Sequence, residues 1–404
     1  MMNDVFLYDW SANNGLKKCY ILDDTLRDGL QSVNLVSPNI DEKILLINYM
    51  INAGIDVITL SYPAMSKITE QESLIMLKHF TSVRAKVLPD FAARTLIKDI
   101  QPIVNLQEKT GIKVQAHLFI GCSALRQHIE KWNIEFIRDR IRESLYFAQQ
   151  QNLQAVLVIE DGTRTDPTML SEIVETAILY GAKGICIADT TGYADCAATK
   201  KIIEFTKHIV NNNEIHLEWH GHNDRGLALA NALTAIAEGI EVIHATSLGL
   251  GERTGNVPFE VLMANLFLYG CLDIDMKSVY EYAKATRKFT KALIAPNHPV
   301  VGDNVFTTAT GTHAAAMYKA AQTDCGLVDY VYSSIPAHVL GRKQQFEIGR
   351  MSGIASIVGK LIEMGLPQNH TIINEILEKA KKSNAILTQN ELDTIIKYIE
   401  TNNI

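Results

Sequence analysis

Apolar and polar positions follow two different patterns along most of the chain, one typical of strands and one typical of helices. Short, largely apolar runs predict β-strands at 19–23, 55–60, 85–90, 113–120, 154–160, 184–189, 214–220 and 241–248. Between most of them, apolar residues recur at helical spacing and predict helices at 41–53, 68–80, 129–150, 167–180, 196–210 and 227–238. Eight strands alternating with helices are typical of a parallel (β/α)8 barrel. We therefore expect an α/β fold of the TIM-barrel class.

Two of these helices are preceded by capping sequences. Ser37-Pro38-Asn39 comes before the first helix, and Thr165-Asp166-Pro167 places a capping residue before a proline. A short polar side chain at this position accepts hydrogen bonds from the free N–H groups of the first turn, and proline suits the first helical position.

The alternation of strands and helices stops after Asp273. Helical spacing continues at 277–294, 354–364, 374–382 and 389–401, around a loop-rich segment with several glycines at 302–353. This tail is either a lid and oligomerisation region or an independent helical domain. We expect a catalytic barrel over 15–275, followed by a mostly helical linker, lid and dimerisation region over 276–404.

Composition and charge limit the classes of partner. The 404 residues are 47% hydrophobic and 21% charged, with a net charge of −7 and no dense stripe of lysine or arginine, which argues against nucleic-acid binding. No apolar run is long enough to cross a bilayer, and residues 1–14 lack the pattern of a secretion signal. The six cysteines are scattered without a CxxC pair. We expect a cytoplasmic protein with reduced thiols and no membrane partner.

The strongest chemical signal is a pair of histidines, His220 and His222, at the end of an alternating run. Residues two apart on a strand project to the same side, and neutral imidazole is a common metal ligand. Asp28 follows the first strand and would add a hard oxygen, completing three ligands with open positions for substrate. Arg27 beside it would face an anionic substrate oxygen. The alternatives are two surface histidines and a loop ion pair of little energetic value.

Other polar groups gather where the predicted strands end. His117 lies in the fourth strand, Glu160 ends the fifth, Thr190 follows the sixth, and Glu252 and Asn256 follow the eighth. Each of these residues could instead have a purely structural role, such as a buried histidine or an ion-pair partner at the barrel rim. Because the catalytic groups of a TIM barrel lie at the carboxyl ends of its strands, their joint occurrence predicts an active site.

Three ordered motifs resemble those of a known family. The chain is similar to the metallolyase barrels that include 2-isopropylmalate, homocitrate and citramalate synthases and hydroxymethylglutaryl-CoA lyase. The motifs are Thr25-Leu26-Arg27-Asp28-Gly29, His220-Gly221-His222-Asn223-Asp224 and Gly251-Glu252-Arg253-Thr254-Gly255-Asn256. The resemblance implies a divalent cation, Zn²⁺, Mn²⁺ or Mg²⁺, held by Asp28, His220 and His222 with Asn256 nearby or ligating. It also implies that Arg27 contacts the oxygen that develops negative charge, and that His117, Glu160 and Thr190 line a pocket for a 2-oxo acid.

The tail favours the condensing synthases within that family. Segments around His313 and Tyr332 resemble the region after the barrel in those enzymes, which implies a homodimer in which these two residues reach the partner's active site. The lyase branch lacks this region and uses a cysteine after the eighth strand, whereas 248–258 contains none. Leu30 is a lyase-like departure, because many synthases carry glutamate there.

The resemblance implies a Claisen-type condensation of acetyl-CoA with a small 2-oxo acid to a 2-hydroxy-2-alkyl dicarboxylate. His313, with Glu252 and Tyr332 as helpers, is the candidate for proton transfer. The homocitrate branch carries arginine and serine before the fifth-strand glutamate, where this chain has the apolar run 156–159, so we expect a monocarboxylic acceptor. The alternatives are a homocitrate-type condensation, a retro-aldol lyase, and a non-catalytic relative, which Leu30 and Thr59 keep open.

Overall fold

The computed structural model describes residues 15–83, 86–211 and 213–402. Residues 1–14, to which the prediction about a secretion signal applied, lie outside these ranges. The chain divides into two compact units, and the division falls between Leu293 and Ile294.

The first unit is a closed barrel of eight parallel strands, which confirms the predicted fold. Each strand pairs with the next in sequence, and the eighth pairs with the first. The strands are β1 Tyr20–Asp23, β2 Val57–Ser61, β3 Leu88–Arg94, β4 Gln115–Gly121, β5 Gln154–Glu160, β6 Gly184–Asp189, β7 His216–Gly221 and β8 Val242–Ala245.

Ten helices lie among and after these strands in the described part of the first unit. They are α1 Ile40–Asn52, α2 Lys67–Val83, α3 Ile97–Thr110, α4 Ala124–Glu130, α5 Ile134–Gln150, α6 Pro167–Leu179, α7 Cys196–Val210, α8 Ala228–Ala237, α9 Phe259–Leu268 and α10 Met276–Thr290. The sequence analysis assigned α10 to the C-terminal region, whereas here it packs against α1 and belongs to the barrel unit.

The predicted capping residues act as expected. Asn39 accepts a hydrogen bond from the backbone N–H of Glu42, whose side chain accepts one from the N–H of Asn39. Asp166 accepts hydrogen bonds from the N–H groups of Thr168 and Met169. These pairs satisfy donors that the first helical turn leaves without an intrahelical partner.

The sequence analysis missed two barrel helices and merged two others. It gave no helix for α3, whose pattern Pro102 interrupts, and none for α9, which is almost uniformly apolar. It merged α4 and α5 into one helix. They are separate because Lys131 adopts a left-handed conformation that ends α4, and Asn133 then caps α5.

The interior of the barrel is apolar near the amino-terminal ends of β1, β2 and β8 and becomes polar further along these strands. Leu22, Val57 and Val242 pack together near the amino-terminal ends of their strands. Two residues further along β1, β2 and β8, the corresponding side chains are polar, namely Asp24, Thr59 and His244. On these three strands the polar groups therefore lie toward the carboxyl ends.

The second unit is built from helices around its own core. Its described part contains a two-stranded parallel sheet and five α-helices, which are β9 Thr307–Thr308, β10 Gln345–Phe346, α11 Gly311–Thr323, α12 Val328–Val331, α13 Ile354–Glu363, α14 His370–Lys382 and α15 Gln389–Asn402. Isoleucine and leucine side chains of α13, α14 and α15 form most of its core. Among the described residues, no helix combines the length and the apolar character that a bilayer crossing needs.

The loop-rich prediction for 302–353 missed α11. This helix begins with a run of glycine, threonine, histidine and alanine, and it buries only Ala314 and Met317. A sequence of small residues with so few large apolar positions gives a weak helical pattern.

Candidate functional site

A cavity of about 330 Å³ opens at the carboxyl ends of the barrel strands. It contains eight of the eleven predicted site residues, which come from different strands and from the loops that follow them: Arg27, Asp28, His117, Glu160, Thr190, His220, His222 and Glu252. Of the other three, Asn256 contacts the cavity residue Asp28, and His313 and Tyr332 belong to the second unit.

Strand β7 supplies a continuous column of polar side chains to the interior. His216, Glu218 and His220 alternate along the strand, and His222 follows in the same phase just beyond it. Because side chains two residues apart point to the same face, all four point into the barrel. Gly184 on the neighbouring strand leaves room for His216, since a Cβ there would lie 2.3 Å from the His216 Nε2 atom.

The predicted metal ligands converge. The Nε2 atoms of His220 and His222 lie 3.3 Å apart, and His222 Nε2 is 3.9 Å from Asp28 Oδ2. One possible ligand atom from each of the three buried residues lies within 4.8 Å of the other two, so the three could hold a metal ion. The amide nitrogen of Asn256 donates to Asp28 Oδ2 and to the carbonyl oxygen of Leu250, so Asn256 here fixes the carboxylate.

The electrostatics of this cluster suit a divalent cation. Burial, with repulsion from neighbouring cationic groups, holds the pKa of His220 well below its usual value, and burial also lowers that of His222. Neutral imidazoles are the form that ligates metals. Two buried carboxylates, Asp24 and Asp28, flank Arg27. The chemistry of this donor set therefore fits a divalent ion.

Asp24 is a member of the site that the sequence analysis did not name. It is fully buried and pairs with Arg27, which orients the guanidinium group at the cavity wall. Burial, together with the nearby charge of Asp28, raises the pKa of Asp24 to about 7 even though Arg27 opposes the shift.

A layer of polar side chains lies next to the predicted metal ligands inside the barrel. Glu218 accepts hydrogen bonds from the Nε2 atoms of His117, His244 and His216, each at 2.7 Å. The other ring nitrogen of His117 contacts Asp90, also at 2.7 Å. Burial alone would lower the pKa of His117, but the carboxylates on both sides raise it well above its usual value. His117 is thus a buried imidazolium that also forms part of the cavity wall.

Two of the predicted substrate-binding residues, Glu160 and Thr190, differ in how strongly other protein groups engage their side chains. Glu160 lies 3.5 Å from the Arg126 Nε atom, and burial raises the pKa of its carboxyl group. Thr190 is less free, because its hydroxyl oxygen accepts a hydrogen bond from the N–H of Asp161.

Of the two inward-facing valines in the apolar run 156–159 of β5, only Val158 lines the cavity. Val158 lines it together with Ala92, Phe119 and Ala188, whereas Val156 is fully buried one layer below. The wall next to Glu160 is therefore apolar, and Val158 is the residue that makes it so on β5.

His313 and Tyr332 form a stacked pair in the second unit. Their ring centroids are 3.8 Å apart with an angle of 19° between the rings, and Tyr332 is half exposed. The structure thus brings together the two residues that the sequence analysis grouped from widely separated positions.

Asp24, Asp90, Glu218 and His244 are the buried polar residues that sequence reasoning missed. A signal was available for Glu218, because it lies two residues before His220 on the same strand and therefore faces inward. Asp24 directly precedes the Thr25–Gly29 motif. Nothing in the local patterns around Asp90 or His244 indicates that both join the network around Glu218, since these contacts run between separate strands.

Comparisons with known proteins place the chain in a family. The family model described as HMGL-like matches residues 18–286, and the chain belongs to this family. The chain is 32% identical over 371 residues to a 2-isopropylmalate synthase of Methanocaldococcus jannaschii, covering 90% of this chain and 68% of that protein. It is 28% identical over 385 residues to a homocitrate synthase of Sulfurisphaera tokodaii, covering 94% of this chain and 79% of that protein.

Solved structures share the barrel fold. A hydroxymethylglutaryl-CoA lyase from Pseudomonas aeruginosa superimposes with a TM-score of 0.57 at 24% identity, over 68% of this chain and 94% of that one. The HMG-CoA lyase from Brucella melitensis gives a TM-score of 0.58 at 18% identity, over 68% of this chain and all of that one. At these identities the likeness concerns the fold.

Proposed function

We propose that the protein is a metal-dependent acyltransferase that condenses acetyl-CoA with a small 2-oxo acid. The observation that carries this proposal is the convergence of Asp28, His220 and His222 beside Arg27 in one cavity. The similarity to two condensing synthases, which extends over at least nine-tenths of the chain and so includes the second unit, supports condensation over the reverse cleavage.

A divalent cation held by Asp28, His220 and His222 would polarise the keto group of the acceptor and stabilise the charge that develops on its oxygen. Two imidazoles suit Zn²⁺, and a carboxylate with open positions for oxygen ligands suits Mn²⁺ or Mg²⁺. Asn256 holds Asp28 in place through its amide nitrogen.

Arg27 supplies a second positive charge to the same oxygen. Asp24 fixes the direction of the Arg27 guanidinium group. This group is therefore already oriented when the charge develops and needs no reorganisation. In the proposed reaction a base removes a methyl proton from acetyl-CoA, and the resulting carbanion forms the new C–C bond with the keto carbon. The former keto oxygen takes up a proton, and water then cleaves the thioester to release CoA.

The proposed proton-transfer group is His313, with Tyr332 and Glu252 as helpers. An imidazole is suited to general base catalysis near neutral pH, and the stack with Tyr332 restricts the orientation of the ring. We propose that the protein is a homodimer and that this pair acts in the active site of the partner subunit.

The acceptor we propose is a monocarboxylic 2-oxo acid such as pyruvate or 2-oxoisovalerate. Val158, Phe119, Ala92 and Ala188 offer apolar atoms to a short alkyl group, and a second carboxylate facing them would lose its hydrogen bonds. The product would be a 2-hydroxy-2-alkyl dicarboxylate, as for a 2-isopropylmalate or citramalate synthase. One observation favours a homocitrate-type acceptor, namely the Arg126 guanidinium beside Glu160.

The test is an assay for free thiol. The purified protein is supplied with Zn²⁺, Mn²⁺ or Mg²⁺, acetyl-CoA and a panel of 2-oxo acids, and products are identified by mass spectrometry. Thiol release that depends on one acid, with a matching C–C coupled product, supports the proposal. No coupling with any acid, together with cleavage of a hydroxyacyl-CoA to acetyl-CoA, would instead assign a lyase. The Asp28→Ala variant is the negative control.

A further inference from the structure

We propose that His244 is a positioning residue that fixes the proton of His220 on Nδ1 and so keeps the His220 Nε2 lone pair available for the metal. This inference rests on the proposed metal site and goes beyond its ligands. The Nδ1 atoms of His220 and His244 lie 3.3 Å apart, both rings are buried, and their planes are nearly perpendicular.

The orientation of His244 follows from its contact with Glu218. The His244 Nε2 atom is 2.7 Å from Glu218 Oε2, and a carboxylate can only accept, so the Nε2 atom carries the hydrogen. The contact between the two Nδ1 atoms needs one donor and one acceptor, and a neutral His244 ring supplies the acceptor. A neutral imidazole has one N–H, so its Nδ1 atom is a hydrogen-bond acceptor.

Glu218 stays a pure acceptor because histidines surround it. His117 and His216 donate to it in addition to His244. His117 is anchored in turn by Asp90, which also accepts a hydrogen bond from Thr59 at 2.9 Å.

The acceptor Nδ1 atom of His244 then determines which ring nitrogen of His220 carries the proton. If His220 carried its proton on Nε2, two lone pairs would face each other at the Nδ1–Nδ1 contact, and an N–H would point at the cation. With the proton on Nδ1, His220 donates to His244 and its Nε2 lone pair points toward His222. The carboxylate of Asp24 is no substitute acceptor, because it is 4.0 Å from His220 Nδ1 and is engaged by Arg27. Residues that hydrogen-bond to a metal-ligating side chain change the affinity of the site for the metal.

Two substitutions of His244 separate positioning from packing. In His244→Asn, the amide oxygen can take the place of Nδ1 and accept from His220, but the contact with Glu218 is lost. In His244→Gln, the amide can reach the position of Nε2 and donate to Glu218, but no acceptor faces His220. Both variants keep one polar contact, so a purely structural role would affect them equally.

The main measurement is the affinity of the purified apoprotein for Zn²⁺ and Co²⁺, determined by competition with a chromophoric chelator. We expect His244→Gln to lose affinity by about 10- to 100-fold and His244→Asn to stay within a few-fold of the unsubstituted protein. Equal losses in the two variants, or no loss in His244→Gln, would overturn the proposal. Circular dichroism and thermal unfolding check that both variants fold.

A second measurement reads the tautomer without any metal and without activity. Long-range ¹H–¹⁵N spectra of the ¹⁵N-histidine-labelled apoprotein, assigned with the His220→Ala variant, distinguish a protonated from an unprotonated ring nitrogen. We expect His220 to carry its proton on Nδ1. A proton on Nε2 would refute the positioning role even if the protein condenses acetyl-CoA. The expected tautomer in a protein without condensing activity would reject the proposed function and leave the positioning role intact.

Discussion

Arg27 pairs with Asp24, three residues earlier, more closely than with its neighbour Asp28. The Arg27 Nε and Nη2 atoms donate to the two oxygens of Asp24, whereas Nη1 is 3.4 Å from Asp28. This division leaves the other oxygen of Asp28 directed at Asn256 and His222. The ion pair that the sequence suggested between Arg27 and Asp28 is thus the weaker of two contacts, and Asp24 sets the direction of the guanidinium group.

We predict that Arg27→Lys lowers kcat/KM for condensation by about 10²- to 10³-fold, the range for removing one donor to a developing oxyanion, while bound metal is retained. Lysine keeps the charge but cannot form the planar fork. Arg164→Lys is the matched control, because Arg164 pairs with both oxygens of Asp161 three residues earlier but does not line the cavity. Similar losses of activity in the two variants would remove the special role of Arg27.

We predict that the protein binds one divalent ion per chain and that His220→Ala/His222→Ala binds none. Removing two of three converging donors leaves Asp28 alone, which cannot hold the ion against water. Metal content after dialysis, measured by mass spectrometry, checks this. His128→Ala, which changes a histidine on α4 outside the cavity, is the control. Stoichiometric metal in the double variant would disprove the site.

We predict that mixing two inactive variants, Asp28→Ala and His313→Ala, restores part of the activity. If His313 acts in the partner's cavity, a hybrid dimer contains one site with both residues intact. The thiol assay is run after subunit exchange has been verified by native mass spectrometry of mass-tagged chains. Mixing Asp28→Ala with His222→Ala is the control, because each barrel of the hybrid dimer then carries one lesion and no intact site forms. Activity that stays absent in the first mixture despite exchange argues for sites within one chain.

We predict that 2-oxoglutarate is a poorer acceptor than pyruvate or 2-oxoisovalerate by roughly 10- to 100-fold in kcat/KM. A carboxylate left against apolar atoms costs about 1–3 kcal/mol, and Val158 provides such atoms. The three acids are compared at saturating acetyl-CoA, in the unsubstituted protein and in Arg126→Gln. A preference for 2-oxoglutarate that Arg126→Gln abolishes would replace the apolar pocket with the homocitrate-type alternative.

We predict that Asp23→Asn stabilises the protein at pH 7 and flattens the pH dependence of stability between about pH 4 and 6. Burial raises the pKa of Asp23 to about 6 from a normal 3.8. The folded state therefore favours the protonated form, and stability is lost as the pH rises through this window. The shift corresponds to roughly 3 kcal/mol at pH 7.

Asparagine can accept from the Thr25 N–H as Asp23 does, and it can donate to the Tyr282 hydroxyl, which then donates to Thr25. Urea unfolding at pH 5 and pH 7, with Asp139→Asn on the exposed face of α5 as control, tests the prediction. A variant less stable than the unsubstituted protein at pH 7 would contradict it.

The sequence predicted the barrel well because its signal is local and repeated. Strands β5 and β6 and helix α7 match the predicted bounds, since each combines a clear apolar pattern with sharp ends. Helix α11 was missed because small residues carry little periodicity. The site residues at the strand ends could be predicted from the sequence, because alternation along a strand and the barrel topology are enough to locate them. It did not place Asp90 beside His117, or His244 beside His220, because those contacts depend on the register between strands.

The column of four polar side chains on β7 makes the protein unusually sensitive to the length of that strand. Since neighbouring side chains alternate between the two faces, one extra residue between His216 and Leu217 would turn Glu218, His220 and His222 toward the surrounding helices and bring Leu217 and Trp219 into the interior. An insertion of two residues would preserve the faces but move each group one layer along the barrel, so that Glu218 would stand where His220 now meets the cation. Length variation among natural relatives should therefore be tolerated in the loop before Ile215 and avoided between His216 and His222.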